Sequence, residues 1–520
     1  MYLGRIAGLS ANEAERERSS RLHVIGASAC VLISVMVFLI NTRHGIGIFV
    51  DSTRYMGISE RPYDAPVYPW LLQFVTLTGT GLDTAAKLIG LFFVAANTAL
   101  VWHLLMRATG KFSYTLAGTL LVIVAPQFVT LHSLAMSEPP FLFFLLATLL
   151  LFMRYLSTDN RFWLVASAVA LGLAALTRFT APPLGAAIAI CLLIDPRRPF
   201  GQRLGDAVLL AVVSAAIFFS WTVASQMTSG HSIGRDLWFY GNMGPREWLT
   251  SLEALTAWLL PDHVPFSLRV AVFALFFLAA AVLTILQVRD TLRRARDTRV
   301  VEGWLPLILA LFFVFYMEFM VLSTSIEANL SLNGRYAFPA YVMTVLLVTI
   351  LVARVGDAHG VARVLRHGLV ALAVFVIGSH AARAAVRSHT AFDTGIGYAS
   401  LAWRTSPTIA AVRKLPPEAV IYSNGADAIA YLLGRPAHFI PERVQLRTGV
   451  DNPDKPYEAQ LADLHARLSA GPAYLVLIDR VDWRFYLAGE KELKSRLPLV
   501  LVADEADGRI YEIAKPAPSE

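Results

Sequence analysis

The chain has 520 residues, 56% of them hydrophobic and 16% charged, with a mean hydropathy of +0.55. Soluble domains carry roughly a quarter of charged residues, so this composition excludes an ordinary soluble enzyme and points to a membrane protein. The formal net charge of +7 falls in loops between apolar runs rather than along a basic and aromatic stripe, which argues against nucleic acid as a partner.

In chain order, the first apolar run, "HVIGASACVLISVMVFLI", follows the basic "RERSSR" and has no small-residue cleavage site. It reads as an uncleaved signal anchor with a cytoplasmic N-terminus. Further runs place spans near 22–41, 84–106, 112–130, 138–156, 162–177, 180–194, 206–226, 268–288, 303–323, 336–353 and 368–386, about eleven in all. As a single helix the stretch 162–194 would be roughly 50 Å long, with Arg178 and Pro182 in its middle. Two short spans turning at "TRFTAPP" fit better. The cysteines, Cys30 and Cys191, both sit in apolar runs, where neither a disulfide framework nor a zinc site is expected.

Charge tests the count independently, because short cytoplasmic loops are rich in Lys and Arg. Basic residues fall in alternate loops: Arg107 and Lys111; Arg154 and Arg161; Arg197, Arg198 and Arg203; Arg289 to Arg299; Arg354, Arg363 and Arg366. An odd number of spans puts the chain after residue 386 outside the cytoplasm. There the composition becomes that of a soluble domain. "AVIYSN", "AHFIP" and "AYLVLID" read as strands, "ADAIAYLLG" and "YEAQLADLHARLSAG" as helices, and "LPLVLVADEADGRIYEI" as a hairpin. The expected fold is a polytopic α-helical membrane domain over 1–386 and a small extracytoplasmic α/β domain over 387–520. That second domain carries no nucleotide-binding or metal motif and reads as a structural or acceptor-docking cap.

The first external loop, 42–83, holds "DSTRYMGISERPYDAPVYPW", acidic and aromatic, with a tail suited to lying in the membrane interface. The segment "WFYGNMGPREWLTSLEALTAWLLPDHVP" likewise reads as amphipathic and interfacial. Other external turns bring Glu138 in "SEPP", Arg178 in "LTRFTAPP" and Arg335 in "NGRYAFP" to span ends. Charges at the edge of hydrocarbon are costly, which makes each a functional candidate.

The order of "DSTRY", "APVYP", "SEP", "LTR", "RYAFP" and a C-terminal α/β domain resembles the GT-C superfamily of polyprenyl-phosphate-sugar glycosyltransferases, close in layout to bacterial protein mannosyltransferases and aminoarabinose transferases. The resemblance implies transfer of a sugar from a polyprenyl-phosphate donor to an acceptor hydroxyl at the external face of a bacterial inner membrane. The acceptor would be a lipid, glycan or protein. It implies Asp51 as general base, with Glu138 on the acceptor side. Arg335, Arg178, Arg54 and Arg61 suit the lipid phosphate, because a guanidinium fork binds two phosphate oxygens. Tyr55, Tyr63, Asp64, Tyr68 and Tyr336 are the expected lining. Aminoarabinose transferases place Lys before the Pro of the first-loop segment, whereas this chain has Ala65, so its phosphate clamp or its donor must differ. His44, His132 and His263 are scattered, and the first loop has no DxD. No motif therefore supports a divalent metal, and no other cofactor is implied. The rival readings are an O-antigen polymerase or ligase, a transporter, which would place polar residues and helix breaks near mid-span, and a non-enzymatic scaffold.

Overall fold

Hydrophobic runs of this length leave the backbone no partner in lipid except itself, and the described residues up to 394 are mostly helical. In the computed structural model residues 2–59, 65–229, 239, 243–294, 303–327, 330–355, 360–446 and 449–514 are described. The helices are α1 (Tyr2–Asn41), α2 (Val50–Tyr55), α3 (Val67–Thr76), α4 (Leu82–Thr109), α5 (Phe112–Ile123), α6 (Pro126–His132), α7 (Glu138–Thr158), α8 (Arg161–Thr177), α9 (Pro182–Ile194), α10 (Phe200–Ser229), α11 (Pro245–Thr256), α12 (Phe266–Arg294), α13 (Trp304–Ile326), α14 (Gly334–Val355) and α15 (Val361–Thr394).

Among the described residues eight helices are long and apolar enough to span: the Arg21–Asn41 part of α1, and α4, α7, α10, α12, α13, α14 and α15. The pair α5 and α6 makes a ninth if counted together, bent by 59°. The bend has a local cause: Ala125 precedes Pro126 and takes an extended conformation, as the proline ring requires. Helices α8 and α9 occupy two further expected positions but have only 17 and 13 residues. At about 1.5 Å per residue they are shorter than a hydrocarbon core of about 30 Å. All eleven expected segments are thus helical, while eight or nine meet the length of a full span.

Helices α1 and α15 run in the same direction. At one end His23 of α1 lies 6.2 Å from the ring of Phe112, and Arg366 of α15 donates to Tyr114 of the same helix α5 at 2.9 Å. At the other end Asn41 donates to Ser388 at 2.8 Å. The number of crossings from α1 to α15 is therefore odd, and the C-terminal domain follows at the end of the bundle where α1 finishes. The buried core runs through α4, α7, α8, α9, α13 and α14, with Phe141, Leu145, Leu149, Phe312 and Val342 fully enclosed. The outer helices α10 and α12 expose Val212, Phe219, Leu275 and Leu278, the face lipid would cover.

Beyond Gly395 come α16 (Leu401–Arg404), α17 (Pro407–Arg413), β1 (Val420–Ser423), α18 (Ala426–Leu433), β2 (His438–Phe439), α19 (Tyr457–Ala470), β3 (Ala473–Ile478), α20 (Glu490–Arg496), β4 (Leu499–Glu505) and β5 (Gly508–Ile513). The sheet order is β2-β1-β3-β5-β4, with β2, β1 and β3 parallel and β5 antiparallel to β3 and β4. Strand alternation builds two cores. Leu475 and Leu477 meet Leu461, Leu464 and Leu468 of α19, whereas Val476 and Ile478 meet Ile409 and Val412 of α17 and Ile429 of α18. The hairpin read at 497–513 is β4–β5, with β4 beginning at Leu499, and Gly434 closes α18 with φ of +61°. Helices α16, α17 and α20 were not anticipated.

Candidate active site

The first external loop lands on the end of the bundle that bears the C-terminal domain. Helix α2 is a short turn in which Ser52 Oγ accepts from the Phe49 amide at 3.0 Å. Its six residues place Asp51 and Tyr55 one turn apart on one face. Helix α3 lies beside it with Tyr68 buried inward and Trp70, Phe74 and Leu77 outward, the last 83% exposed. That arrangement suits an interfacial helix. Similarly, α11 gives helical form to part of the second expected interfacial segment.

Four separate elements bring charge to one point. Glu138 opens α7, ahead of Pro139 and Pro140. Arg178 follows α8 in an extended conformation that turns the chain toward α9. Arg335 sits in the first turn of α14, where Asn333 Oδ1 accepts from the amides of Arg335 at 3.0 Å and Tyr336 at 3.2 Å. Asp51 comes from α2. Arg335 then bridges the two carboxylates, donating through Nε to Glu138 Oε1 and through Nη1 to Asp51 Oδ2. Arg54 holds Asp51 Oδ1 from one turn along α2. Arg178 Nη1 reaches Glu138 Oε1 at 2.8 Å and Ser137 Oγ at 3.3 Å, and Tyr55 OH meets the same Ser137 Oγ at 3.0 Å.

Two carboxylates thus face three guanidiniums, so the cluster formed by these residues carries one excess positive charge. Its surroundings grade from wet to dry: the side chains of Arg335 and Asp51 are 24% and 19% exposed, that of Glu138 only 1%. Burial by itself would raise the Asp51 carboxyl, but the cations of Arg335 and Arg54 outweigh it and hold Asp51 well below the usual carboxylate range. Glu138 Oε2 is buried without a hydrogen-bond partner among the described residues. Aromatic faces complete the site. The ring of Tyr336 lies 5.3 Å from the Arg178 guanidinium and 5.9 Å from that of Arg335, while Tyr68 meets Tyr55 edge-on at 5.2 Å.

Of the residues singled out in the sequence, Asp51, Arg54, Tyr55, Glu138, Arg178, Arg335 and Tyr336 come together. Tyr68 stands behind Tyr55, only 2% exposed. Arg61, Tyr63 and Asp64 lie outside the described residues. Two residues were missed. Ser137, from its position a helix cap, makes no capping bond and instead joins Tyr55 to Arg178. Tyr316, inside the apolar run of α13, donates to the Tyr336 carbonyl at 2.7 Å and pins the start of α14. Nothing in the sequence distinguishes it. Among the described residues no three His, Cys, Asp or Glu side chains are grouped to hold a metal ion. His132 is a core residue paired with Asn97 at 3.0 Å.

The fold defines a class before the site defines a reaction: a multi-span helical protein with the GT-C fold of the solved structures below. Residues 61–223 match the family model described as dolichyl-phosphate-mannose-protein mannosyltransferase. That span contains Glu138 and Arg178 but neither Asp51 nor Arg335. No curated protein matches the sequence. Among solved structures the chain is similar to ArnT from Cupriavidus metallidurans bound to undecaprenyl phosphate, at 14% identity and a TM-score of 0.55, over 93% of this chain and 97% of that one. It is similar to the oligosaccharyltransferase AglB from Archaeoglobus fulgidus in complex with an inhibitory peptide and a dolichol-phosphate, at 12% identity and a TM-score of 0.51, over 95% and 74% of the two chains. The arabinofuranosyltransferase AftD from Mycobacteria shares 14% identity and a TM-score of 0.53 over 94% of this chain, which spans 40% of AftD. All three belong to the GT-C superfamily.

Proposed function

We propose that the protein is a membrane glycosyltransferase that moves a sugar from a polyprenyl-phosphate donor to an acceptor hydroxyl at the external face of a bacterial inner membrane. The observation that carries this reading is Arg335, shared between Asp51 and Glu138 and itself partly exposed. One group able to bind a phosphate is thus held beside two groups able to take a proton. In the step, the acceptor oxygen bonds to the anomeric carbon as the bond from that carbon to the phosphate oxygen breaks. The phosphate keeps the electron pair, the hydroxyl proton passes to a carboxylate, and a single displacement inverts the anomeric centre. Arg335 and Arg54 would stabilise the charge growing on the leaving phosphate.

The base is Asp51 in this reading, and its low basicity in the free site is consistent with the role. A donor phosphate competes for Arg335 and Arg54, and as those cations turn toward it the Asp51 carboxylate regains proton affinity. Basicity then appears when the donor is in place. A second assignment has its own support: Glu138 Oε2 is buried and unpartnered, an acceptor atom ready for a hydroxyl proton.

The reaction is tested with purified full-length protein and a panel of undecaprenyl-phosphate sugars, following release of undecaprenyl phosphate in the presence of envelope lipids and glycans. Acceptor-dependent release supports the proposal; no release across the panel, with donor binding intact, would point to the scaffold reading instead. A transporter is disfavoured because the clustered charges lie at helix ends rather than at mid-span.

A further inference from the structure

Three segments far apart in the chain are clipped together directly behind the charge cluster. The stretch 45–49 leads into α2 and Asp51, the stretch 133–137 leads into Glu138, and the stretch 395–400 joins the bundle to the C-terminal domain. Gly47 donates to Ser133 O and accepts from the Ala135 amide, both at 2.9 Å, and one residue later Ile48 O accepts from the Tyr398 amide at 2.8 Å. The central stretch is thus paired on both sides, with Leu134 and with Gly397.

Two glycines make the approach geometrically feasible. A Cβ on Gly47 would lie 2.5 Å from Leu134 Cδ2. Gly397 has φ of +60°, and a Cβ there would lie 2.1 Å from Ile48 O, a backbone atom that cannot move without moving α2. The clip is in turn fastened to the C-terminal domain. Tyr398 OH donates to Asp427 Oδ2 at 3.1 Å, and Arg484 donates to the same oxygen at 2.8 Å, with the Arg484 and Asp427 side chains 1% and 0% exposed. Tyr398 and Ala428 of α18 pack in one apolar cluster with Ile48, Tyr55, Tyr68 and Leu134. Tyr431 of α18 also reaches Asp83 at the start of α4, at 3.0 Å.

We propose that the C-terminal domain is a positioning device for the reaction centre. Through Gly397, Tyr398 and Asp427 it sets the backbone of 45–49, and with it the relative placement of Asp51 and Glu138. These three are positioning residues; none touches the charge cluster. The proposal rests on the reading of Asp51 and Glu138 as reactive groups, and it gives the domain a role beyond that of a cap. A carboxylate placed on a six-residue helix has little rigidity of its own, since a helix so short is not stable without tertiary contacts. Sites of this kind need supporting contacts that hold reacting groups to within about 0.5 Å.

The test uses the full-length protein in nanodiscs with two variants, Tyr398→Phe, which removes only the hydroxyl, and Gly397→Val, which forces the clip apart. Hydrogen–deuterium exchange should rise about two- to tenfold over 45–56 and 133–138 in Tyr398→Phe, as expected for weakening one hydrogen-bonded contact, and further in Gly397→Val. Exchange in β3 should stay at the wild-type level, which shows that the domain remains folded. With an undecaprenyl-phosphate sugar as donor, Tyr398→Phe should lower kcat by a larger factor than it raises KM, because Arg335 and Arg178 stand on elements outside the clip. Unchanged exchange over 45–56 and 133–138 in both folded variants overturns the proposal, as does raised exchange with kcat unaltered. Exchange coupling in a protein whose wild type transfers no sugar would instead overturn the glycosyltransferase reading and leave the clip as a structural link.

Discussion

Asp51 and Glu138 share one cation but not one environment, and that difference decides what their removal should do. Asp51→Asn keeps the size of a side chain that is 19% exposed, so folding should change little, while donor affinity should rise because the phosphate no longer competes with a carboxylate for Arg335 and Arg54. If Asp51 is the base, turnover should fall by the 10² to 10⁴-fold typical of general-base catalysis, roughly. Glu138→Gln removes a charge from a carboxyl only 1% exposed and leaves Arg178 without its ion-pair partner. Breaking a buried pair costs about 3–5 kcal/mol, so this variant should melt earlier as well as lose activity. Normal turnover in a folded Asp51→Asn protein would transfer the role to Glu138. The pH profile gives a second check. Because Arg335 and Arg54 hold Asp51 below the usual range, the acid limb of kcat/KM, which reports the free enzyme, should lie below about 3.9. Removing one of the two cations lets the carboxyl rise, so Arg54→Gln should move that limb to higher pH. A limb that stays put would mean that a different group titrates.

Among the elements, α17 shows how a local anchor holds the C-terminal domain. Asp507, in the tight β4–β5 turn, accepts from the Thr408 amide at 3.0 Å and its hydroxyl at 2.7 Å, in the first turn of α17. Burial would raise the Asp507 carboxyl, but the hydrogen bonds from Ser406 and Thr408, helped by the cation of Arg480, prevail and lower it. A carboxylate held low in the folded state adds stability that is fully present above its unfolded value near 3.9 and is lost as pH falls through the lower folded value. Asp507→Ala should therefore cost about 1–3 kcal/mol at pH 7, through the amide it strands, and the difference between wild type and variant should shrink as pH falls below the ordinary carboxylate range. Thermal melting across that range measures both. Equal melting at pH 7 would remove the anchor from this account.

At the scale of the molecule, parity matters more than the number of helices. The short pair α8 and α9 adds either two crossings or none, so nine and eleven spans give the same sidedness. Since α1 and α15 are parallel, the C-terminal domain and Asp51 share one end of the bundle, opposite Arg21. Basic loops predict that the Arg21 end faces the cytoplasm. A C-terminal tag should then be accessible to protease in intact spheroplasts, and a tag between residues 295 and 299 should be protected. The reverse pattern would invert the molecule and remove the external-face reading.

The sequence by itself determined the solvent, the positions of the eleven apolar helices, the strands of the C-terminal domain and most of the charges that gather at the site. Each of these follows from local composition and period: apolar run length for the membrane, alternation for the strands, and the cost of charge at the edge of hydrocarbon for Glu138, Arg178 and Arg335. What the tertiary structure alone decided is who meets whom. Arg335 lies 284 residues from Asp51 and 197 from Glu138, a pairing that no local pattern encodes. The bridging role of Ser137, the support from Tyr316 and the clip through Gly397 are equally silent in one dimension. A serine before a helix, a tyrosine in an apolar run and a glycine in a linker each have common local explanations. Their roles here depend on backbone approaches of a few ångströms between segments that the chain itself keeps far apart.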